Sequence, residues 1–125
     1  MPGAAPRAAG RAAAALLCLL PASLAACGPR EPLPPPQAYD RYSVRCHGDD
    51  GRGDPKAVRL NPKLDLVRSE MVRQADLARV RESIVEGRGA MPGFERKLGA
   101  EEIDALTAYT VERFGAAGGG DGGGG

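Results

Sequence analysis

The sequence has few aromatic side chains and few of the residues that usually bind metals. Its 125 residues include no tryptophan, two phenylalanines, three tyrosines and one histidine. Proteins that bind single-stranded nucleic acid stack the bases on aromatic rings, and this chain lacks enough of them. Its 17 basic residues are matched by 16 acidic ones, so it also lacks the excess positive charge of a nucleic-acid-binding protein. We therefore expect no nucleic-acid partner, and a metal site that needs two histidines is excluded.

Glycine and proline are abundant instead, with 18 and 11 residues that concentrate towards the two ends of the chain. Proline-rich segments favour extended polyproline II, so residues 27–37 are predicted to be a semi-rigid linker between an attachment point and a domain. Residues 116–125 include seven glycines and are predicted to be disordered, because they have too few apolar side chains to form a core. The domain between these flanks is predicted to span residues 38–115.

The N-terminal segment is typical of an export signal. It contains two basic residues, Arg7 and Arg11, followed by an apolar run over residues 12–20. This run is much shorter than the roughly 20 residues that a membrane-spanning helix needs. A basic start, a short apolar centre and small residues before a cleavage site together indicate a signal peptide, here residues 1–26.

The end of this signal predicts a lipid anchor. Residues 24–27, Leu-Ala-Ala-Cys, resemble the lipobox of bacterial lipoproteins, in which the cysteine is lipidated and becomes the first residue. The resemblance implies that Cys27 carries the lipid and that the protein lies on the periplasmic side of a bacterial membrane. Because Gly28 replaces the aspartate that often retains such proteins at the inner membrane, the outer membrane is favoured.

The central domain is predicted to be all-α. We expect a short helix over residues 38–46, a turn-rich loop over 48–55 and a helical turn around 69–72, while much of 56–75 is ambiguous. Asp76 can cap a helix over residues 77–86 that ends at Gly87. A last helix is predicted over about residues 100–114, with Glu101 and Glu102 in its first turn, where the helix dipole favours acidic side chains.

The cysteines indicate that a cofactor stabilises this small domain. Cys18 is removed with the signal and Cys27 is lipidated, so Cys46 has no disulfide partner in its own chain. Domains of this size usually need a disulfide, a metal or a cofactor to supplement their core. Residues 43–47, Ser-Val-Arg-Cys-His, differ at one position from the Cys-x-x-Cys-His pattern of covalent haem attachment.

Several short motifs resemble those of the small class I cytochromes c, over residues 39 to about 114. Tyr39 precedes the attachment motif, and Cys46 and His47 are followed by a glycine-rich loop. Residues 61–64 (Asn-Pro-Lys-Leu), 89–94 (Gly-Ala-Met-Pro-Gly-Phe) and 98–106 then occur in the order that the family has them. The resemblance implies a small all-α domain wrapped around one haem c per chain.

The resemblance also implies a role for individual residues. His47 would be the proximal iron ligand and Met91 the distal one, whereas Met71 is interpreted as a core residue. The Pro62 carbonyl would orient the His47 ring. Cys46 would form the haem thioether, and Ser43 replaces the first haem cysteine, so that the haem has a single covalent attachment.

The function implied is electron transfer by a membrane-anchored, monomeric c-type cytochrome, not enzymatic catalysis. Its expected partners are redox proteins at the membrane or in the periplasm, and the lipid bilayer itself. Two alternatives remain open from the sequence. The domain could have lost its haem and serve as a binding or structural module, or it could be a haem sensor or weak peroxidase from which Met91 dissociates.

Overall fold

A computed structural model describes residues 1–5, 28 and 30–116 of the chain. Residues 30–116 fold into helices, and no β-strand occurs within that range; the fold is all-α, as predicted. The helices are α1 (Pro35–Tyr42), α2 (Val44–His47), α3 (Pro55–Leu60), a 3-10 turn (Pro62–Leu64), α4 (Glu70–Arg73), α5 (Leu77–Glu86) and α6 (Ala100–Gly115). Cys27, almost all of the predicted signal peptide and the glycine tail lie outside the described residues. Within the described part of the chain, no helix is both long and apolar enough to cross a membrane.

Helix α6 is the centre of the domain, and α1, α4 and α5 all pack against it. Its inner face buries Ile103, Leu106 and Phe114, as the helical spacing of these residues predicts. The ring of Phe114 lies 5.1 Å from the ring of Tyr39 on α1, and both side chains are completely buried. Because this packing brings the start and the end of the domain together, it fixes the position of α2, which directly follows α1.

Two helices begin and end as their local sequence signals indicate. The Asp76 carboxylate accepts the Arg79 N–H at the start of α5, and Gly87 ends that helix. Helix α3 begins in the same way at Asp54, whose carboxylate accepts two backbone N–H groups, with Pro55 in the first turn. Aspartate caps of this kind satisfy N–H groups that have no partner within the helix.

The predicted extended linker, residues 27–37, ends earlier than expected, because residues 35–37 belong to a helix. Helix α1 already begins at Pro35, because proline in the first turn of a helix has no N–H to leave unpaired. Leu33 packs against the hydrophobic core. The domain therefore begins before residue 38, and residues 30–34 lie on its surface; we call these five residues the strap.

The buried carboxylate of Glu102 holds the strap to the start of α6. It accepts the backbone N–H of Leu33 (2.8 Å) and of Gly99 (3.0 Å) and pairs with the Arg30 guanidinium (2.7 Å). The hydrogen bonds from Leu33 and Gly99, helped by Arg30, lower the pKa of Glu102, although burial acts in the opposite direction. A depressed carboxylate pKa stabilises the fold above the ordinary pKa of the group, and that stabilisation is lost as the pH falls through the folded-state value.

Glu102→Gln is therefore expected to lower the free energy of unfolding at pH 7 by about 1–3 kcal/mol, because buried N–H groups lose a charged acceptor. The difference from the wild type should shrink as the pH falls below about 4.5, the ordinary value, since the native carboxylate then becomes protonated as well. Urea unfolding at pH 7 and pH 3 measures the loss in the free energy of unfolding and its decrease at low pH. Glu101→Gln, at the exposed neighbouring position, should change little at either pH, and an equal Glu102→Gln effect at both would contradict the charge argument.

Candidate functional site

A cavity of about 410 Å³ is lined by segments that lie far apart in the sequence. Its walls include Ser43, Cys46 and His47 from the region of α1 and α2, Met71 from α4, and Met91 from the loop after α5. Leu106 and Thr110 of α6 also line it. The volume lies in the usual range of pockets for small molecules and cofactors. Five site residues predicted from the sequence lie in the described part of the chain. The structure places all of them, including Pro62, in the wall of this one cavity.

His47 is held rigidly at the end of α2. Its backbone N–H donates to the Ser43 carbonyl (2.9 Å), and its own carbonyl accepts the N–H of Gly53 (2.7 Å). Tyr39 supports the next residue, because its hydroxyl donates to the Gly48 carbonyl (2.8 Å). The imidazole is buried. The fold therefore holds the backbone on both sides of this ring.

A hydrogen bond sets the tautomer of the His47 ring. Nδ1 lies 2.8 Å from the Leu64 carbonyl oxygen. Because a carbonyl can only accept, Nδ1 must carry the proton, and the lone pair of the neutral ring is left on Nε2. Metal-binding histidines show this arrangement, in which the nitrogen that does not bind donates to a carbonyl or carboxylate.

The prediction that the Pro62 carbonyl accepts a hydrogen bond from the His47 ring is wrong. That carbonyl accepts the N–H of Asp65 (3.2 Å) and belongs to the 3-10 turn that Pro62 begins. The turn brings the carbonyl of Leu64, two residues later, to His47. The Asn61 side chain stabilises the turn by accepting the N–H of Lys63 (3.3 Å). The motif at residues 61–64 predicted the correct segment, but not the residue within it.

Ser43 and Cys46 lie one helical turn apart at the junction of α1 and α2. Both line the cavity, and the backbone N–H of Cys46 donates to the Ser43 carbonyl (3.0 Å). The expected helix over residues 38–46 is interrupted at Ser43, which separates α1 from α2. Cys46 is exposed and forms no disulfide. The thiol is therefore accessible at the cavity edge, while a hydroxyl occupies the neighbouring position.

Met91 lies in a tightly closed loop after α5. Arg88 and Met91 exchange two backbone hydrogen bonds of 3.0 Å each, and the N–H of Phe94 donates to the Ile84 carbonyl (2.9 Å). Gly87 makes this closure possible, because its φ is +79° and a Cβ there would lie 2.4 Å from the Met91 carbonyl oxygen. The loop is therefore attached to the end of α5, and the half-buried Met91 forms part of the cavity wall.

A second methionine, Met71, shares the cavity. It is half-buried, packs against the hydrophobic core as predicted, and its sulfur lies 3.8 Å from the Ser83 hydroxyl. This hydroxyl also donates to the Arg79 carbonyl at 2.8 Å, which is the stronger of its two contacts. The sequence analysis did not place Met71 or Ser83 at the site, because helix α4 is short and its register relative to α5 is set by tertiary packing.

The sequence model of one protein family, described as cytochrome c oxidase, cbb3-type, subunit III, matches residues 33–109. This match covers more than half of the chain. The protein belongs to this family of cytochrome c domains. No curated protein and no solved structure matches it.

The cytochrome domain is thus a small monohaem c-type cytochrome, and its family binds haem c covalently. The residues present fit this group: the cavity combines an accessible thiol, an imidazole with its lone pair on Nε2, and a thioether. Bound haem would supply the one-electron couple of its iron, and the family match indicates an electron carrier rather than an enzyme. The described residues contain no cluster of three histidine, cysteine or acidic side chains that could hold another metal ion.

Proposed function

We propose that the protein is a lipid-anchored electron carrier on the periplasmic side of a bacterial membrane, with haem ligated by His47 and Met91 and attached through Cys46 alone. The observation that carries this proposal is the cavity that brings Cys46 and His47 of α2 together with Met91 from the loop after α5. His and Met together fill both axial positions, which suits electron transfer and disfavours the binding of substrates. In this role the chain exchanges electrons with redox proteins at the membrane and acts as a monomer.

The prearranged His47 ring supports its assignment as the proximal ligand. Since the Leu64 carbonyl fixes Nδ1–H, only Nε2 is available to iron, and no rotation or change of tautomer is needed on binding. Cys46 precedes His47 directly in the sequence. A thioether at Cys46 therefore attaches the haem edge beside the residue that binds its centre.

Met91 is preferred over Met71 as the distal ligand because of how each is held. The Met91 backbone is fixed by its two hydrogen bonds with Arg88, whereas the Met71 side chain packs against core residues and approaches Ser83. A methionine that packs with apolar neighbours fills space in the interior. Both methionines pack against the core in this way, so the preference for Met91 rests on its fixed backbone and on the contact of the Met71 sulfur with Ser83.

Lipid attachment at Cys27 follows from the resemblance of residues 24–27 to a lipobox. A diacylglycerol thioether with an additional amide-linked acyl chain exceeds the two chains that stable anchoring requires. Gly28 after the cysteine favours the outer membrane. Mass spectrometry of the N-terminal peptide from the membrane fraction tests this proposal. Lipidation should add the mass of the acyl chains to this peptide, and Cys27→Ser should remove that added mass.

The haem attachment is tested on the chain from residue 27, produced with haem-attachment machinery, extracted with acidic acetone and dissolved in alkaline pyridine. We expect haem to remain bound and the reduced haemochrome band to lie between the positions for two thioethers and for free haem. Ser43→Cys should shift the band to the two-thioether position, because Ser43 and Cys46 line the same cavity one helical turn apart. Ser69→Cys, elsewhere in the same wall, should leave the band unchanged.

Complete extraction of haem from the wild type would contradict the proposed covalent bond between haem and Cys46. A folded helical protein without any haem band would support the alternative that Ser43 suggests, a cytochrome fold that serves as a binding module without haem. Peroxide turnover by the wild type, together with a spectrum that lacks methionine ligation, would instead favour the sensor or peroxidase alternative.

A further inference from the structure

The strap is fixed to the domain by one of its few buried charges. A single Arg30 nitrogen lies 2.7 and 2.9 Å from the two Glu102 carboxylate oxygens and 3.3 Å from the Lys97 carbonyl. The Leu33 N–H donates to the same carboxylate at 2.8 Å, and the Leu33 side chain packs against the core. Polar contacts to a buried carboxylate and apolar burial therefore act together over residues 30–33.

This attachment shortens the distance between Cys27 and the domain. From Cys27 to Arg30 there are three residue steps, which span at most roughly 11 Å in a fully extended chain. If the strap were released and residues 27–34 were extended as polyproline II, the same tether would span about 22 Å. The attached strap therefore reduces the reach of the anchor about twofold.

We propose that the strap holds the cytochrome domain directly against the lipid bilayer, with the start of α6 facing the membrane. The inference rests on the proposed lipidation of Cys27. The membrane-facing surface consists of exposed residues of the strap and of the segment at residues 95–101 that leads into α6, and we call it the anchor face: Arg30, Glu31, Glu95, Arg96, Lys97, Gly99 and Glu101. Its exposed acidic and basic side chains balance, so the tether and not charge attraction determines this orientation, and neutral and anionic bilayers should behave alike.

The anchor face adjoins the wall of the cavity. The Lys97 ammonium group lies 5.6 Å from the centre of the Phe94 ring, and the same ring lines the cavity next to Met91. Tyr42 packs edge-on against Phe94 at 5.6 Å and also lines the cavity. The membrane therefore lies on the Phe94 side of the site, and a redox partner embedded in the same membrane can approach that side.

The distance from the haem to the bilayer tests this proposal, because haem quenches a fluorescent lipid headgroup by energy transfer that falls steeply with separation. The lipidated, haem-loaded protein is placed in vesicles of phosphatidylcholine, with and without phosphatidylglycerol, that contain a trace of labelled lipid. We expect Arg30→Ala to weaken the quenching about twofold or more, as the tether lengthens. Arg96→Ala, which removes an exposed charge from the same face, should quench like the wild type.

A second measurement needs no lipid and is made on the haem-loaded chain. Hydrogen exchange of the Leu33 amide should be slow in the wild type and at least about tenfold faster in Glu102→Gln, because the carboxylate accepts this N–H. An amide that exchanges at the rate of an unstructured peptide in the wild type would overturn the strap. If Arg30→Ala stays on the vesicles and quenches like the wild type, the strap does not control the distance between the haem and the bilayer.

Failure of the lipid proposal is distinguished from failure of the strap. If mass spectrometry finds no lipid on Cys27, the lipoprotein proposal fails alone. Cys27 of the haem-loaded chain is then coupled to a maleimide-bearing lipid, and the quenching of wild type, Arg30→Ala and Arg96→Ala is compared as before. The strap is supported only if Arg30→Ala still lowers the quenching and Arg96→Ala does not.

Discussion

Met91→Leu is expected to remove the sixth iron ligand while leaving haem in the cavity. Leucine fills a similar volume but has no sulfur, so the apolar wall is kept and the coordinate bond is lost. The absorption band characteristic of methionine-ligated ferric haem should disappear, and added cyanide or imidazole should bind much faster. Because the sulfur of a methionine ligand raises the reduction potential of haem iron, the potential of Met91→Leu should also be substantially lower than that of the wild type.

Met71→Leu is the matched control for this change. Both methionines line the same cavity and both substitutions are the same, so a loss of packing alone would affect them alike. We expect Met71→Leu to retain the methionine band and the ligand-binding rate of the wild type. The assignment of Met91 would be wrong if the band survived in Met91→Leu and disappeared in Met71→Leu.

Gly87→Ala is expected to be the most damaging single change to the fold near the site. The residue has φ +79°, and an added Cβ would lie 2.4 Å from the Met91 carbonyl oxygen and 2.7 Å from the Gly93 nitrogen. Strained backbone of this kind costs about 1–3 kcal/mol, and the clash with backbone atoms adds to it. We expect urea denaturation to show a loss of about 3 kcal/mol or more in the free energy of unfolding.

Two other glycines separate these contributions. Gly89 also has a positive φ, of 57°, but an added Cβ would have no heavy atom within 4 Å, so Gly89→Ala tests the backbone conformation alone. At Gly99 the φ is −69° and the nearest atom would lie 3.7 Å away, so Gly99→Ala should be nearly neutral. A Gly87→Ala variant no less stable than Gly89→Ala would show that the loop moves away from α5 easily.

Helices α5 and α6 could be predicted because their signals are local. Asp76 and Gly87 mark the ends of α5 through contacts with nearby residues, and the spacing of Ile103 and Leu106 along α6 identifies its buried face. Helix α3 has a comparable signal, an aspartate followed by proline at residues 54 and 55, which the sequence analysis did not use. Leu77 shares the helical spacing of Val80 and Ile84 but is half exposed, because it lies in the first turn of α5.

The parts of the site that could not be predicted depend on contacts between distant residues. Residue types and family motifs identified Cys46, His47 and Met91, and the structure places all three around one cavity. The acceptor for the His47 ring depends on the geometry of a 3-10 turn, which is why Leu64 was missed in favour of Pro62. The strap was missed because its contact joins Arg30 to Glu102, 72 residues later, and composition alone describes residues 27–37 as an extended linker.

The closed loop at Met91 also bears on how fast an electron can move. Its two hydrogen bonds with Arg88 and its attachment to the end of α5 hold the methionine backbone within the fold. As the proposed iron ligand, a methionine held in this way would need little rearrangement when the iron changes its oxidation state. We therefore expect a small reorganisation energy, with nearly the same coordination geometry in the ferric and ferrous protein, and fast electron self-exchange.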